Sequence, residues 1–272
     1  MRPVISLTTD FGTQDHFVGT MKGVIAEICP DANVIDITHE IPAFDVLAGA
    51  LAIWPAWRYF PAGTIHVVVV DPGVGSARRP ILARIAGHYF IAPDNGLLTL
   101  LLEDVDRTGP VPNLHELTTP AYRLGTESFT FHGRDIFAPA AAHLAKQLSC
   151  GTPDLNGFGP RIDNVIRLDV SKPHSDGEGS VHGAILKIDR FGNLLTNLRP
   201  SDAENLRDGN FELHLGRHKI TRLHNNYLAG KEGEPFVILG SSGMLEIALN
   251  RAHAAKHHDA APGDKFTLRT QS

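Results

Sequence analysis

Thr64-Ile-His-Val-Val-Val-Val70, running straight into Asp71-Pro-Gly-Val-Gly75, is a short apolar stretch that ends in a breaker-rich turn. Its valines do not alternate with polar residues, so the strand they form is buried on both faces, as in a parallel sheet covered by helices. The residues before it agree. Val4–Thr9 reads as a first strand. Between Asp15 and Cys29 the apolar Phe17, Met21, Val24, Ile25 and Ile28 recur at helical spacing until Pro30 stops them. Asn33–Thr38 is a second strand, and Asp45–Trp57, with Pro55 near its end, a second helix. Two consecutive crossover units result, the signature of an α/β fold. Downstream, Ile81–Ile85 and His88–Ala92, joined by Ala86-Gly87, form a hairpin, which makes the sheet mixed though mostly parallel. Ile136–Leu148 is a further helix.

From about Asp169 to Ser180 the chain turns polar and rich in breakers, as a linker does. The expected organisation is an α/β domain over residues 1–168, a linker over 169–180 and a smaller all-β domain over 181–272. Strand-like runs with frequent glycines, namely Val181–Ile188, Phe211–Leu215, Phe236–Leu239, Met244–Ala248 and Phe266–Leu268, predict a sandwich or barrel there.

Composition narrows the class. Charged residues make up 20% and hydrophobic ones 42%, close to ordinary globular usage. A net charge of −5 without a dense Lys/Arg run leaves no electrostatic footprint for nucleic acid or an anionic membrane. No stretch approaches the roughly 18 apolar residues of a membrane span, and Met1-Arg2-Pro3-Val4 passes directly into a strand. A cytoplasmic protein is expected. Cys29 and Cys150 are spaced like neither a metal site nor a redox pair and are expected to be reduced core thiols.

Several constellations could carry chemistry. Thr8-Thr-Asp10-Phe-Gly12 ends the first strand, where ligands of open α/β sheets bind and where a carboxylate can accept both hydroxyls of a ribose. A turn aspartate or helix cap is the alternative. Asp71, followed by Pro72, Gly73 and Gly75 and then Arg78 and Arg79, sits on a tight turn that lets a ligand approach the backbone. It lacks both the Walker spacing and the dinucleotide fingerprint, and a plain strand exit is its alternative. In Phe129-Thr-Phe-His132-Gly-Arg134-Asp135 an imidazole stands at a helix start, a candidate acid–base group, unless it is a surface residue beside a cap made by Arg134 and Asp135. In the second half, Asp189, Phe191 and Asn193 share one bend, which suits an amine and a stacked purine or is simply a hairpin turn. Gly240-Ser241-Ser242-Gly243 offers hydroxyls and N–H groups to an anion, or is a turn. His253, His257 and His258 have a spacing that allows a metal on a helix. With alanine and lysine interleaved they are expected to form a solvated face, and no metal site is expected.

Thr8-Thr-Asp-Phe-Gly12, Val70-Asp-Pro-Gly-Val-Gly75 with Arg78, Pro93-Asp-Asn-Gly-Leu-Leu-Thr99, Phe131-His-Gly-Arg-Asp-Ile136 and Ile188-Asp-Arg-Phe-Gly-Asn193 occur in this order. Together they resemble the S-adenosyl-L-methionine (SAM) hydrolases, also called SAM hydroxide adenosyltransferases, relatives of the fluorinase and chlorinase. The resemblance runs from about Ile5 to near Phe266. It implies attack of water or hydroxide on the ribose C5′ of SAM, giving adenosine and L-methionine, with no cofactor because SAM is the substrate. It implies a catalytic trio matching Asp71, Arg78 and His132. Asp10 then holds the ribose hydroxyls, Asp15 and Asp189 lie near the methionine amine, Phe191 and Asn193 meet the adenine, and Ser241 and Ser242 contact the methionine carboxylate. It implies a homotrimer with active sites at subunit interfaces. Halogenating relatives carry Tyr at the position of Asp71 and lack the His, so this chain departs from a SAM-dependent halogenase. A non-catalytic SAM- or nucleoside-binding protein would need Asp10, Phe191 and Asn193 but not the trio.

Overall fold

A computed structural model describes residues 2–177, 179–202, 206 and 210–270. The chain forms two compact units, Met1–Leu168 and Asp169–Ser272.

In the first unit the elements are β1 (Val4–Thr9), α1 (Phe17–Ile28), β2 (Asn33–Thr38), α2 (Val46–Ala56), β3 (Ile65–Val69), β4 (Pro80–Ile85), β5 (His88–Pro93), α3 (Thr99–Thr108), β6 (Asn113–Glu116) and α4 (Ala138–Cys150). The sheet order is β2-β1-β3-β5-β4-β6. Pairing is parallel from β2 through β5, and β4 runs antiparallel to both β5 and β6. α1 and α4 pack together on one face and α2 and α3 on the other, which is why every residue of β3 is buried. α2 starts where the Asp45 side chain accepts the Ala48 N–H at 2.8 Å, an N-cap that satisfies a donor the helix leaves unpaired. The β4–β5 turn places Ala86 at φ 47° and Gly87 at φ 84°, the left-handed pair that a two-residue hairpin needs.

The second unit contains β7 (His174–Ser175), β8 (Ser180–Ile188), β9 (Leu194–Thr196), β10 (Phe211–Leu215), β11 (His218–Ile220), β12 (Leu223–His224), β13 (Phe236–Leu239), β14 (Leu245–Ala248), α5 (Ala254–His258) and β15 (Lys265–Thr270). The strands form a curled, mostly antiparallel sheet in the order β11-β10-β15-β8-β9-β14-β13-β12, with β7 beside β8. Phe211, Leu213 and Leu215 alternate with half-buried Glu212 and His214, so one face covers a core that includes Ile185, Leu194, Ile247 and Phe266.

Within segment 169–180, Val170 is buried and His174 pairs with His182. Two sequence expectations change, on the cysteines and on the C-terminal histidines. Cys29 is buried but Cys150 is exposed, so only the first is a core thiol; both are free. The C-terminal histidines do not all form a solvated face: His257 is exposed but His258 is not. His258 is 7% exposed, and burial with the charges of His218 and His257 pushes its pKa down to about 4. Among the described residues no helix is long and apolar enough to cross a membrane.

Candidate active site

β1 and β3 lie side by side, Thr9 opposite Val69, while β2 lies beyond β1 and β5 beyond β3. The strand order therefore reverses between β1 and β3, and the segments leaving their carboxyl ends part to form a crevice. Asp10 and Asp71 stand just past those ends. They line one cavity of about 340 Å³ with Phe11, Phe17, Phe44, Phe131 and His132. Asp10 Oδ2 accepts the Phe44 N–H at 2.8 Å. Burial raises the Asp10 pKa against that hydrogen bond, and the nearby Asp71 charge adds to the rise. Phe44 itself takes φ 68°, a conformation uncommon outside glycine.

The turn after β3 folds Arg78 back over Asp71. Ser76 Oγ donates to the Gly73 carbonyl at 2.6 Å and accepts the Arg78 N–H at 3.3 Å. Gly75 takes φ 77°, and a Cβ there would lie 2.2 Å from the Phe129 carbonyl oxygen. Only glycine lets this turn press against the segment that carries His132. Arg78 Nε then donates to both Asp71 oxygens, at 3.1 and 2.9 Å. Its Nη2 contacts Asp71 Oδ2 as well and donates to His132 Nδ1 at 2.8 Å. The guanidinium carbon sits 5.1 Å from the centre of the Phe137 ring. A guanidinium has donors only, so His132 Nδ1 is an acceptor and the proton of the neutral ring is on Nε2. Burial and the Arg78 charge hold the His132 pKa below its ordinary 6.5, outweighing Asp71.

His132 precedes a π-type turn, Gly133–Phe137, that leads into α4; such wide turns are frequent at functional sites. Asp135, fully buried, accepts from Arg134 Nη2 at 3.0 Å and from the Ser128 N–H at 2.8 Å. Burial would raise its pKa, but these bonds hold it below the ordinary value. That pair shapes the turn and leaves His132 to the cavity. Arg79 turns elsewhere, to Asp94 at 2.6 Å and the Asn164 carbonyl at 3.0 Å. Asn95 Nδ2 donates to the Val70 carbonyl at 2.8 Å, so the Pro93–Thr99 motif fixes the strand end next to Asp71.

In the second unit, Asp189, Phe191, Asn193, Tyr227, Ser241, Glu246, Arg251 and His253 line a cavity of about 740 Å³. Asp189 Oδ1 accepts the N–H groups of Phe191 and Asn193, both at 2.8 Å, and Oδ2 accepts Asn193 Nδ2 at 2.9 Å. The β8–β9 turn is thus knotted on this carboxylate. Asn193 is buried while Phe191 is 76% exposed. Gly192 takes φ 88°, and a Cβ there would meet the His253 ring at 2.3 Å. Gly240–Gly243 is the β13–β14 turn, where Ser241 is exposed and Ser242 Oγ accepts the Met244 N–H at 3.4 Å.

The structure therefore gathers Asp10, Asp71 and His132 on one wall system, with Arg78 bonded to the last two, and gathers Asp189, Phe191, Asn193 and Ser241 on another. Asp15 is exposed, and neither it nor Ser242 is among the wall residues. Sequence reasoning missed Tyr227, Glu246 and Arg251, and assigned His253 to a solvated face rather than to this cavity. Tyr227 Oη donates to Glu246 Oε2 at 3.0 Å. Burial raises the pKa of both, the tyrosine to about 12. The available signal was an acid inside the apolar strand Leu245-Glu-Ile-Ala248.

Residues 5–152 match the SAM hydroxide adenosyltransferase N-terminal domain and residues 183–267 the C-terminal domain of the same name. The chain belongs to the SAM hydroxide adenosyltransferase family. It is 38% identical to the (R)-S-adenosyl-L-methionine hydrolase of Salinispora tropica, over 98% of this chain and 97% of that one. A fluorinase of Actinoplanes sp. is 30% identical over 98% and 97%. Among solved structures, an uncharacterized conserved protein from Thermotoga maritima shares the fold with a TM-score of 0.87, at 35% identity, covering 97% of this chain and 99% of that one. The adenosyltransferase family thus accounts for both units.

Proposed function

We propose that this chain hydrolyses S-adenosyl-L-methionine to adenosine and L-methionine, by attack of water or hydroxide on the ribose C5′. The observation that carries this reading is the chain of contacts Asp71–Arg78–His132 on the wall of a largely apolar cavity. The sulfonium leaves as a neutral thioether, so the reaction asks chiefly for an aligned nucleophile in a dry pocket. Water needs a base to take its proton or a positive group to stabilise hydroxide. The Nδ1 lone pair of His132 is committed to Arg78, which leaves Asp71 to take the proton while His132 Nε2–H donates to the attacking oxygen. The oxygen bonds to C5′, the C5′–S electron pair goes to sulfur, and the proton passes through Asp71 to solvent. Arg78 holds both partners in place.

The remaining assignments extend the family resemblance. Asp10 holds the ribose hydroxyls, and the exposed Phe191 ring stacks on adenine beside Asn193. Asp15 and Asp189 serve the methionine amine, and Ser241 and Ser242 its carboxylate. No cofactor takes part. A homotrimer with active sites at subunit interfaces and a cytoplasmic location complete the proposal.

Incubation with SAM in isotope-labelled water, with and without chloride, tests it. Adenosine labelled at the 5′-oxygen is the expected product in both. Asp71→Asn should lower adenosine release roughly 10²–10⁴-fold in a chain that still folds. Unchanged release from that variant, or 5′-chloroadenosine from the parent, overturns the reading.

A further inference from the structure

We propose that His218, His257 and His258 form a binding site for a divalent transition-metal ion of the zinc type, a structural site that shares no residue with either cavity. β11 supplies His218, and the last two residues of α5 supply the others. Each ring offers one nitrogen, and the three atoms lie within 4.8 Å of one another. His218 and His257 pack edge-on against His258, with ring centres 4.6 and 4.9 Å away.

The independent sign of a ligand is His258 itself. It is 7% exposed, and both of its ring nitrogens are shielded from solvent without a hydrogen-bond partner among the described residues. Buried imidazoles ordinarily bond through at least one nitrogen, because leaving both unpaired forfeits their hydration for nothing. A metal ion would be the missing partner.

The donor set selects the ion. Three imidazoles without a carboxylate suit zinc, copper, nickel or cobalt and not the oxygen-seeking calcium or magnesium. Tetrahedral zinc holds nitrogens at about 2.0–2.1 Å, which brings the donors to within roughly 3.4 Å of each other. The exposed His257 and half-buried His218 can close that distance by turning their side chains, since β11 ends the sheet order. The bound ion would tie this edge strand to α5, a five-residue helix too short to hold itself.

The untagged full-length chain, stripped with a chelator, should take up one equivalent of zinc by calorimetry. With cobalt it should show the visible absorption of tetrahedral coordination. Saturating zinc should raise the unfolding midpoint by about 3 °C or more. His257→Ala, at an exposed position, and His218→Ala should each weaken zinc binding at least about tenfold while SAM turnover is unchanged. Absence of saturable zinc uptake overturns the proposal. So does uptake that both variants leave intact, which would move the ion to other histidines such as His174 and His182.

Discussion

Arg78 and Arg79 are neighbours on one turn, and each pairs with a carboxylate that the fold has buried. Asp94 is 2% exposed and Asp71 9%. Around Arg79 the contacts run to Asp94 and to a neighbouring stretch of chain. Asp94 Oδ1 accepts the Ile166 N–H at 2.7 Å, and Arg79 reaches the Asn164 carbonyl, so the pair locks a passing segment of backbone. Around Arg78 the contacts run to His132 instead, and both ends of the Asp71–Arg78–His132 chain face a cavity. Two ion pairs of the same chemistry thus differ in where their spare bonding capacity points. That difference, and not burial or charge, separates a site from a brace.

The largest expected effect falls on activity. Arg78→Lys keeps the charge but loses the planar fork that serves Asp71 and His132 together; adenosine release should drop roughly 10²–10³-fold with little change in unfolding midpoint. A lysine variant of near-parental rate would erase the distinction. Next, Arg79→Met should cost stability on the order of 2–4 kcal/mol in urea unfolding, toward the low end for a broken buried pair, because the Arg79 side chain is itself 32% exposed. Turnover per folded molecule should stay within about twofold; a large loss there would make the brace part of the site. The smallest effect is in pH. Burial and Arg78 depress the His132 pKa below 6.5, so the folded ring stays neutral where the unfolded one takes up a proton. The stability this contributes is present above pH 6.5 and lost as pH falls, and the acid limb of adenosine release should lie below 6.5. An acid limb at or above 6.5 would show that burial and Arg78 do not keep the imidazole neutral.

Much of the first unit is written in local pattern. The valine run ending at Asp71 and the crossovers before it are legible because strand and helix periods differ, and Asp45 marks its helix start with a cap. α3 escapes notice because Thr99–Thr108 begins inside the Pro93–Thr99 motif and carries Glu103, Asp104 and Asp106 among its leucines. Asp71, Arg78 and His132 are legible as candidates, but their order is not. The central place of Arg78 depends on a contact across 54 residues and on a glycine whose missing Cβ makes room for Phe129. Glu246 and Tyr227 meet only once β14 and the segment before β13 fold together. His218 is separated from His257 by a stretch that includes four strands, counting β11 itself, and no spacing rule along the chain joins them.

The pairing of Asp71 with Arg78 has one more consequence, in the net charge of the cavity. The two cancel, His132 is uncharged, and Asp10 is left as the unbalanced anion among the wall residues. A sulfonium cation is attracted to such a wall. Once the carbon–sulfur bond breaks, the reacting centre is neutral and the attraction lapses. The cavity therefore favours the reactant over adenosine without any moving part, and product inhibition by adenosine should be weak.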